Sequence, residues 1–554
     1  MAKLDGGDLA LKVLKKEGVK YIFSLSGTPI RALYDACIDE CIPIIDTRHE
    51  EGAVHMADGW ARVTGQPGVA MITSGPGVAN AVGGTSVAFA SLSPIVVIGG
   101  KSPMGEDDMG PVEELDQLPM MQPITKWART VHETRRIPDF VSMAFRHART
   151  GRPAPVFLDI PRDVLEGEVD EKDIVLPEKY LTTSRPQGDP DMIKKAIDLL
   201  AGAKRPLVLG GGGVWWSQAS KELREFIEAI NAPLVLDGVG RGSVPEEHRL
   251  CFGPTRVGAK EADVVVVVGM RLDWTMGYGR PPLFGEHAKF IQIDIEGSEI
   301  GRNRAIEVGI IGDCKAVLRQ LTQAAEGRFK ADTTTPWVEQ CQAYVKKRAE
   351  RLEAQMNSDS TPIHPARLCK EIRDFLDRDA VIIMDGADIG IYGGSVFRVY
   401  EPGHWMENPP SGSLGIGIPF GIAAKLAKPD KQVLVLNGDG AFGFNGMEFD
   451  TAVRHKIPFV TVIGNDAAWG FVKHVQEAIY GKERIIGTTL APTRYDKVVE
   501  ALGGYGEYVE RPQDIKPALQ RAFASGLPAC VNVKIDPDAG LEQAKGMRQR
   551  MTNK

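Results

Sequence analysis

Short runs of β-branched and other apolar residues recur along the chain, with helix-like segments between them. YIFSL, IPIIDT, GVAMIT, PIVVIGG and PVFLDIP all precede residue 165. Each is apolar throughout rather than alternating, the pattern of strands buried on both faces, and so predicts parallel sheets covered by helices. A second set follows (RPLVLGGGG, APLVLDG, ADVVVVVGM, KFIQIDI, GIIGD), then a third (AVIIMDGAD, QVLVLNGDG, PFVTVIGND, PACVNVKID). The apolar periodicity lapses at Thr182–Asp191 and at the polar stretch ending in Asn357–Pro365. The expected fold is α/β, with three consecutive doubly wound parallel-sheet domains over residues 1–180, 190–345 and 360–540 and a mobile C-terminal tail over 541–554.

Composition narrows the class. A chain of 554 residues suits about three domains at ~100–200 residues each. With a net charge of −7 there is no broad basic surface to neutralise phosphates, so nucleic acid is not an expected partner. The N-terminus lacks the long apolar core of a secretory signal, and the purest apolar run, Val264–Met270, is far below the ~20 residues of a membrane span. A cytoplasmic protein with no membrane partner is expected. The seven cysteines are scattered, without a Cys-x-x-Cys pair, and fit neither a disulfide framework nor a zinc site. Cys37 and Cys41, four positions apart, read as core or surface thiols.

Candidate chemistry begins at NGDGAFGFNG. Asp439 stands between two glycines where the run KQVLVL ends, which is where open α/β sheets bind ligands. A carboxylate there suits a hard cation such as Mg²⁺, and the glycines allow close backbone approach. After the next run, FVTVI, comes GNDAAWG, with Asn465 and Asp466 again at a strand end. The intervening residues 441–464 have room for one helix and one returning parallel strand. DGADIG, Asp385–Gly390, offers a small-residue turn whose N–H groups suit phosphate oxygens.

The GDG followed by about two dozen residues and an Asn-type pair resembles the signature of thiamine-diphosphate enzymes. That resemblance implies that Asp439, Asp466 and the carbonyl of Ala468 hold Mg²⁺, although the common pattern has Asn where this chain has Asp466. Asn465 is the alternative ligand if the register shifts by one. The resemblance also places Ala387, Asp388, Ile389, Gly440, Ala441, Trp469 and Gly470 around the thiamine diphosphate. In DTRHEEGAVHMADGWAR, Glu50 follows a strand, and Ala53, Met56, Ala57 and Trp60 predict an amphipathic helix after it. By itself Glu50 reads equally as a solvated helix-start acid. The resemblance implies instead that it bonds N1′ of the aminopyrimidine, favouring the imino tautomer whose 4′-nitrogen takes the thiazolium C2 proton. It further implies that Leu414 props the bent cofactor, that the carbonyl of Gly412 accepts the 4′-amino proton, and that Gln117 lies near the reacting carbonyl. The alternative for Gln117 is a surface amide on a helix.

The resemblance extends over nearly the whole chain, through SGPGVANAVGGTSVAFASLSPIVVIGG, GRPAPVFLDIP and FIQIDI, to the acetolactate-synthase-like branch. That branch includes acetolactate synthases, benzaldehyde lyase, oxalyl-CoA decarboxylase and 2-hydroxyacyl-CoA lyases. It implies a homodimer at minimum, with a homotetramer expected, in which Glu50 of one chain and Asp439 of another share a cofactor. LSGTPIRAL has Ser26, Thr28 and Pro29 where benzaldehyde lyase carries histidines. GMRLDWTMGYGRPP is more similar to the corresponding run of 2-hydroxyacyl-CoA lyases than to the FAD-binding run of acetolactate synthases. Gly210–Gly213 with Arg271, Asp294 and Asp313 could bind ADP, a CoA adenylate or FAD, and the basic tail KGMRQRMTNK could clamp CoA phosphates. The expected activity is a thiamine-diphosphate C–C lyase or carboligase, first a 2-hydroxyacyl-CoA lyase. An acetolactate-synthase-type carboligase on 2-keto acids or ketols comes second, and a catalytically silent assembly subunit third.

Overall fold

A computed structural model of the chain describes residues 3–329, 335–542, 544 and 545. The basic tail from Gly546 onward lies outside the described residues. Three parallel sheets occur in chain order, as the fully apolar runs predict. The first has strand order Ile44–Asp46, Ile22–Leu25, Gly68–Ile72, Ile95–Lys101, Val156–Pro161, Trp127–Thr130. The second runs Leu234–Leu236, Pro206–Gly210, Val264–Val268, Lys289–Asp294, Val308–Ile311. The third runs Trp405–Met406, Val381–Asp385, Val433–Gly438, Val460–Asn465, Ala529–Lys534, Tyr505–Val509.

Trp127–Thr130, Trp405–Met406 and Tyr505–Val509 have no counterpart among the apolar runs, and all three are edge strands. Four of the five residues of Tyr505–Val509 are only half-buried, so it carries no continuous apolar run, and Trp405–Met406 is buried but only two residues long. A short antiparallel pair, Lys3–Leu4 with Val169–Asp170, is also absent from the hydrophobic pattern. All seven cysteines are free thiols. Cys37 is buried in helix Arg31–Asp39, whereas Cys41 is exposed just beyond its end.

The chain divides into two compact units. One holds the chain through Ser184 together with Ser411–Lys428 and Asn445–Ile457; the other holds Arg185–Pro410, Pro429–Phe444 and the chain from Pro458. Two helical segments distant in sequence therefore belong with the first sheet. Helix Gly417–Ala427 is buried on nearly every side and lies along helix Glu50–Thr64. Their closest approach is at Gly59, where a Cβ would stand 3.0 Å from the backbone of Phe420 and 3.2 Å from Ala423.

The Glu50–Thr64 helix departs from the amphipathic expectation. His55, Asp58 and Arg62 are as buried as its apolar residues, because the Gly417–Ala427 and Pro76–Ala90 helices and the first sheet cover it. Asp58 and Arg62 pair inside this shell. Arg62 donates from Nε to Asp58 Oδ1 at 2.8 Å and from Nη2 to Oδ2 at 2.7 Å, and its guanidinium lies 4.8 Å from the centre of the Phe420 ring.

Removing one partner of such a pair strands a buried charge. Asp58→Ala is expected to cost about 3–5 kcal/mol, whereas Asp58→Ala with Arg62→Met recovers much of that loss because no unpaired charge remains. Thermal unfolding midpoints of the three proteins check the order: wild type highest, the double variant between, Asp58→Ala lowest.

Candidate functional site

In the second unit, Val433–Gly438 and Val460–Asn465 are neighbouring parallel strands with Gly438 opposite Gly464. One step on, this register sets Asp439 level with Asn465, and Asp466 follows at the same carboxyl edge. Asp439 is 2 % exposed, and its Oδ2 has no hydrogen-bond partner among the described residues. Burial, and then the neighbouring Asp466 carboxyl, push Asp439 well above the usual carboxylate range. Burial also raises Asp466, against its bond to Asp439, with Asp388 adding a like charge. The two carboxyls perturb each other and cannot both ionise without a counter-charge. A hard divalent cation between them supplies that charge and a partner for the unpartnered oxygen, so the donor set fits Mg²⁺. No group of three or more His, Cys, Asp or Glu among the described residues could hold a metal on its own. Such a cation therefore needs further oxygens from backbone, cofactor or water.

The turn after Asp466 is built for that purpose. Ala467 has a left-handed φ of 53°, and its N–H donates to Asn465 Oδ1 at 3.1 Å. The amide of Asn465 is otherwise engaged with Thr493 O and Asn532 Oδ1, which leaves Asp466 as the side chain facing Asp439. Ala468 bridges Thr489 through hydrogen bonds made by its flanking residues, Trp469 N to Thr488 O and Leu490 N to Ala467 O. The carbonyl of Ala468 is not used by that bridge. Gly440 is required by the Trp469 ring, 2.5 Å from where a Cβ would sit. At Gly470 a Cβ would stand 2.3 Å from Asp466 Oδ2 and 3.0 Å from Asp388 Oδ2. Where one helix is expected in 441–464, the chain forms two, Asp439–Asn445 and Glu448–Arg454, broken at Gly446–Met447. Ala441 is buried within the first of them.

Ala387 caps the helix Asp388–Val396 directly after strand Val381–Asp385. The first amides of such a helix have no intrahelical acceptor and face outward from the strand end. Asn408 braces the turn, donating to Asp385 Oδ1 at 2.9 Å and accepting from Gly386 N–H at 3.3 Å. Ile389 is buried against Gly464. The sequence reading missed His474, which is buried with Nδ1 2.6 Å from Asp388 Oδ2 and Nε2 2.8 Å from Pro537 O. Burial opposes its charge, but the hydrogen bond and charge of Asp388 together with the Pro537 carbonyl outweigh it and raise its pKa. No spacing rule links positions 388 and 474; only the fold brings them together.

Elsewhere in this unit, the glycines after strand Pro206–Gly210 serve packing. Gly211 N–H donates to Val268 O and Gly213 N–H to Gly269 O, and a Cβ on either would lie 2.6 Å from Met270 or Gly269. Those two amides are unavailable to a nucleotide phosphate. Asp313 pairs with Arg185 at 2.8 Å and caps helix Cys314–Ala325, and Asp294 accepts from Glu296 N–H.

In the first unit, Glu50 is the first residue of its helix and 5 % exposed, so it is not a solvated acid. Its Oε2 accepts from Asn80 Nδ2 at 3.0 Å. Gly77 is needed beside it, since a Cβ there would be 3.2 Å from Glu50 Oε1 and 2.6 Å from Thr73. Gln117 is 1 % exposed, which overturns the surface-amide alternative. Its Nε2 donates to Gly100 O and Asp159 Oδ1, and its Oε1 accepts from Gly75 N–H at 2.8 Å. The amide thus braces the Thr73–Gly75 loop. Glu113, also unforeseen, accepts from the hydroxyls of Thr73 and Ser74 at 3.0 and 2.6 Å. Gly412, with a left-handed φ of 73°, is exposed and Leu414 half-buried in the segment leading into helix Gly417–Ala427. Glu50, Gln117, Gly412 and Leu414 fall in one unit; the Asp439–Asp466 group and Ala387–Ile389 fall in the other.

Three family models match the chain: the N-terminal thiamine pyrophosphate binding domain over residues 4–120, the thiamine pyrophosphate enzyme central domain over 193–321 and the C-terminal thiamine pyrophosphate binding domain over 388–533. An acetolactate synthase large subunit of Mycobacterium tuberculosis is 38 % identical over 539 residues, covering 96 % of each chain. A 2-hydroxyacyl-CoA lyase of Arabidopsis thaliana is 32 % identical over 558 residues, covering 98 % of this chain and 97 % of its own. Human 2-hydroxyacyl-CoA lyase 1 is 28 % identical over 553 residues, covering 97 % and 95 %. With matching domains in order and relatives aligned end to end, the chain belongs to the thiamine pyrophosphate enzymes, in the branch that contains acetolactate synthases and 2-hydroxyacyl-CoA lyases.

Proposed function

We propose that this chain is a thiamine-diphosphate- and Mg²⁺-dependent enzyme that breaks or forms a carbon–carbon bond beside a carbonyl carbon. Its first-choice reaction is cleavage of a 2-hydroxyacyl-CoA to an aldehyde and a formyl-CoA-type product, which reverses as an acyloin-type condensation. The observation that carries the cofactor reading is the buried, mutually perturbing carboxyl pair Asp439 and Asp466 with one oxygen unpartnered. In this reading both carboxylates and the Ala468 carbonyl hold Mg²⁺. The amides of Ala387, Asp388 and Ile389 meet the diphosphate, and Gly440, Ala441, Trp469 and Gly470 line it. The cofactor supplies an acidic carbon whose anion adds to a carbonyl. Glu50 holds a proton at the aminopyrimidine N1′, the Gly412 carbonyl orients the 4′-amino group, and Leu414 packs beneath the ring. Gln117 acts from behind, by fixing the loop at Gly75.

The lyase choice rests on the run Gly269–Pro282. A second reading, an acetolactate-synthase-type carboligase acting on 2-keto acids, is favoured by the 38 % identity to an acetolactate synthase against 32 % to a plant lyase. Glu50 and Leu414 stand against a catalytically silent subunit. No nucleotide is assigned to the central sheet, since the Gly211 and Gly213 amides are engaged. The working assembly in this reading is a homodimer or homotetramer.

Glu50→Gln is expected to leave the fold and cation binding intact and to lower turnover by orders of magnitude, because only the tautomer-selecting proton is lost. Near-normal turnover by this variant sinks the cofactor assignment. Product analysis by mass spectrometry over 2-hydroxyacyl-CoAs, 2-keto acids and ketols separates the two substrate readings; faster turnover of pyruvate than of any thioester selects the synthase.

The carboxyl pair generates a pH prediction. Its folded pKa values lie above the unfolded ones, so its stabilising contribution is complete below the unfolded carboxylate pKa and is lost as pH rises through the raised values. The metal-free protein should therefore melt at a lower temperature at pH ~8 than at pH ~5 through this pair. Mg²⁺ should restore the loss and release a proton on binding. Calorimetry in buffers of different ionisation enthalpy reads that proton, and Asp439→Asn should abolish both the release and tight binding of thiamine diphosphate.

A further inference from the structure

Helix Glu448–Arg454 carries a buried acid that the reading above does not use. Glu448 Oε1 accepts from the backbone N–H groups of Arg48 at 3.0 Å and His49 at 3.1 Å, and Oε2 accepts from Arg48 N–H at 3.2 Å and from Thr451 Oγ1 at 2.6 Å. Gly52 leaves room for it, since a Cβ there would lie 2.5 Å from Oε1. The same helix grips the other end of the turn. Arg454 Nη2 donates to Asp46 O at 2.6 Å, and His455 Nε2 lies 2.7 Å from Asp46 Oδ1. Thr47 is tied back to the sheet through Ser24 O. Residues 46–49 are thus held at both ends, and the next residue is Glu50.

We propose that Glu448 is a positioning residue for Glu50, its carboxylate fixing the Arg48–His49 turn so that the first residue of the Glu50–Thr64 helix has one backbone position. The role follows from where the donors lie. Two consecutive amides immediately before a helix have no helical acceptors, and a single buried carboxylate satisfies both while placing negative charge at the positive end of the helix. A loose turn here displaces Glu50, and small displacements of a catalytic group are costly. Burial pushes the Glu448 carboxyl up to about 7 against these donors, so the neutral amide of Glu448→Gln is a close mimic that keeps an acceptor for both N–H groups.

The proposal rests on Glu50 acting at the cofactor, and the test separates the two. In the cofactor-free full chain, hydrogen–deuterium exchange over residues 46–50 is expected to speed up at least tenfold in Glu448→Ala, and to stay within a few-fold of wild type in Glu448→Gln. With thiamine diphosphate and Mg²⁺ bound, the C2-proton exchange rate is expected to fall in Glu448→Ala, to be largely kept in Glu448→Gln, and to show no further fall when Glu448→Ala is added to Glu50→Gln. If Glu448→Ala does not fold, Thr451→Val, which removes one donor to Oε2, is expected to loosen the same amides by a smaller factor. Unchanged amide exchange in the variant that folds, or an equal loss of C2 exchange in both Glu50 backgrounds, overturns the proposal. Normal C2 exchange in Glu50→Gln alone overturns the reading of Glu50 and leaves the amide result to decide the hold of Glu448.

Discussion

Burial of parallel strands on both faces is the constraint on which everything else depends. Such strands have no polar face on which to display chemistry, so polar side chains gather where the backbone leaves the sheet. Asp439, Asp466, Asp388, Glu50 and the Thr73–Gly75 loop all stand just past the carboxyl end of a strand. The register Gly438 opposite Gly464 brings the ends of these two strands to one edge, where the carboxyls of Asp439 and Asp466 perturb each other.

That meeting has an energetic consequence. Two desolvated carboxyls side by side cannot both ionise without a counter-charge, and burial raises both of them. Under the proposed function a bound cation would supply that charge and so stabilise the third sheet. The Asp58–Arg62 pair solves the same problem internally, with a guanidinium as the counter-charge and an aromatic face beneath it.

Close approach runs through both units. Gly59 admits the Gly417–Ala427 helix, Gly440 admits the Trp469 ring, Gly77 admits Glu50, and Gly52 admits Glu448. In each case the glycine is needed because a functional or packing group occupies the volume of a side chain. Gly211 and Gly213 obey the same rule, the space of a side chain being taken by Met270 and Gly269 and their amides by Val268 O and Gly269 O. A glycine-rich turn after a strand is thus ambiguous in sequence, and the acceptors of its amides resolve it.

Local chemistry was legible without any structure. Continuous β-branched runs report burial on both faces, so the inner strands of all three sheets could be read, as could Asp439, Asp466 and Glu50, whose settings at strand ends are contiguous in the chain. The edge strand Tyr505–Val509 could not, because half-burial leaves no distinctive run. Nor could the partners of each polar group: Gln117 braces Gly75, His474 met Asp388, and Glu448 reached Arg48 and His49 across some four hundred residues. Periodicity records how a residue relates to its neighbours along the chain, and that is enough to determine element type, sheet class and the position of strand-end acids. Which acid pairs with which base, and which amide is already engaged, depends on hydrogen bonds between residues that only tertiary packing brings within 3 Å, and that was decided by the fold alone.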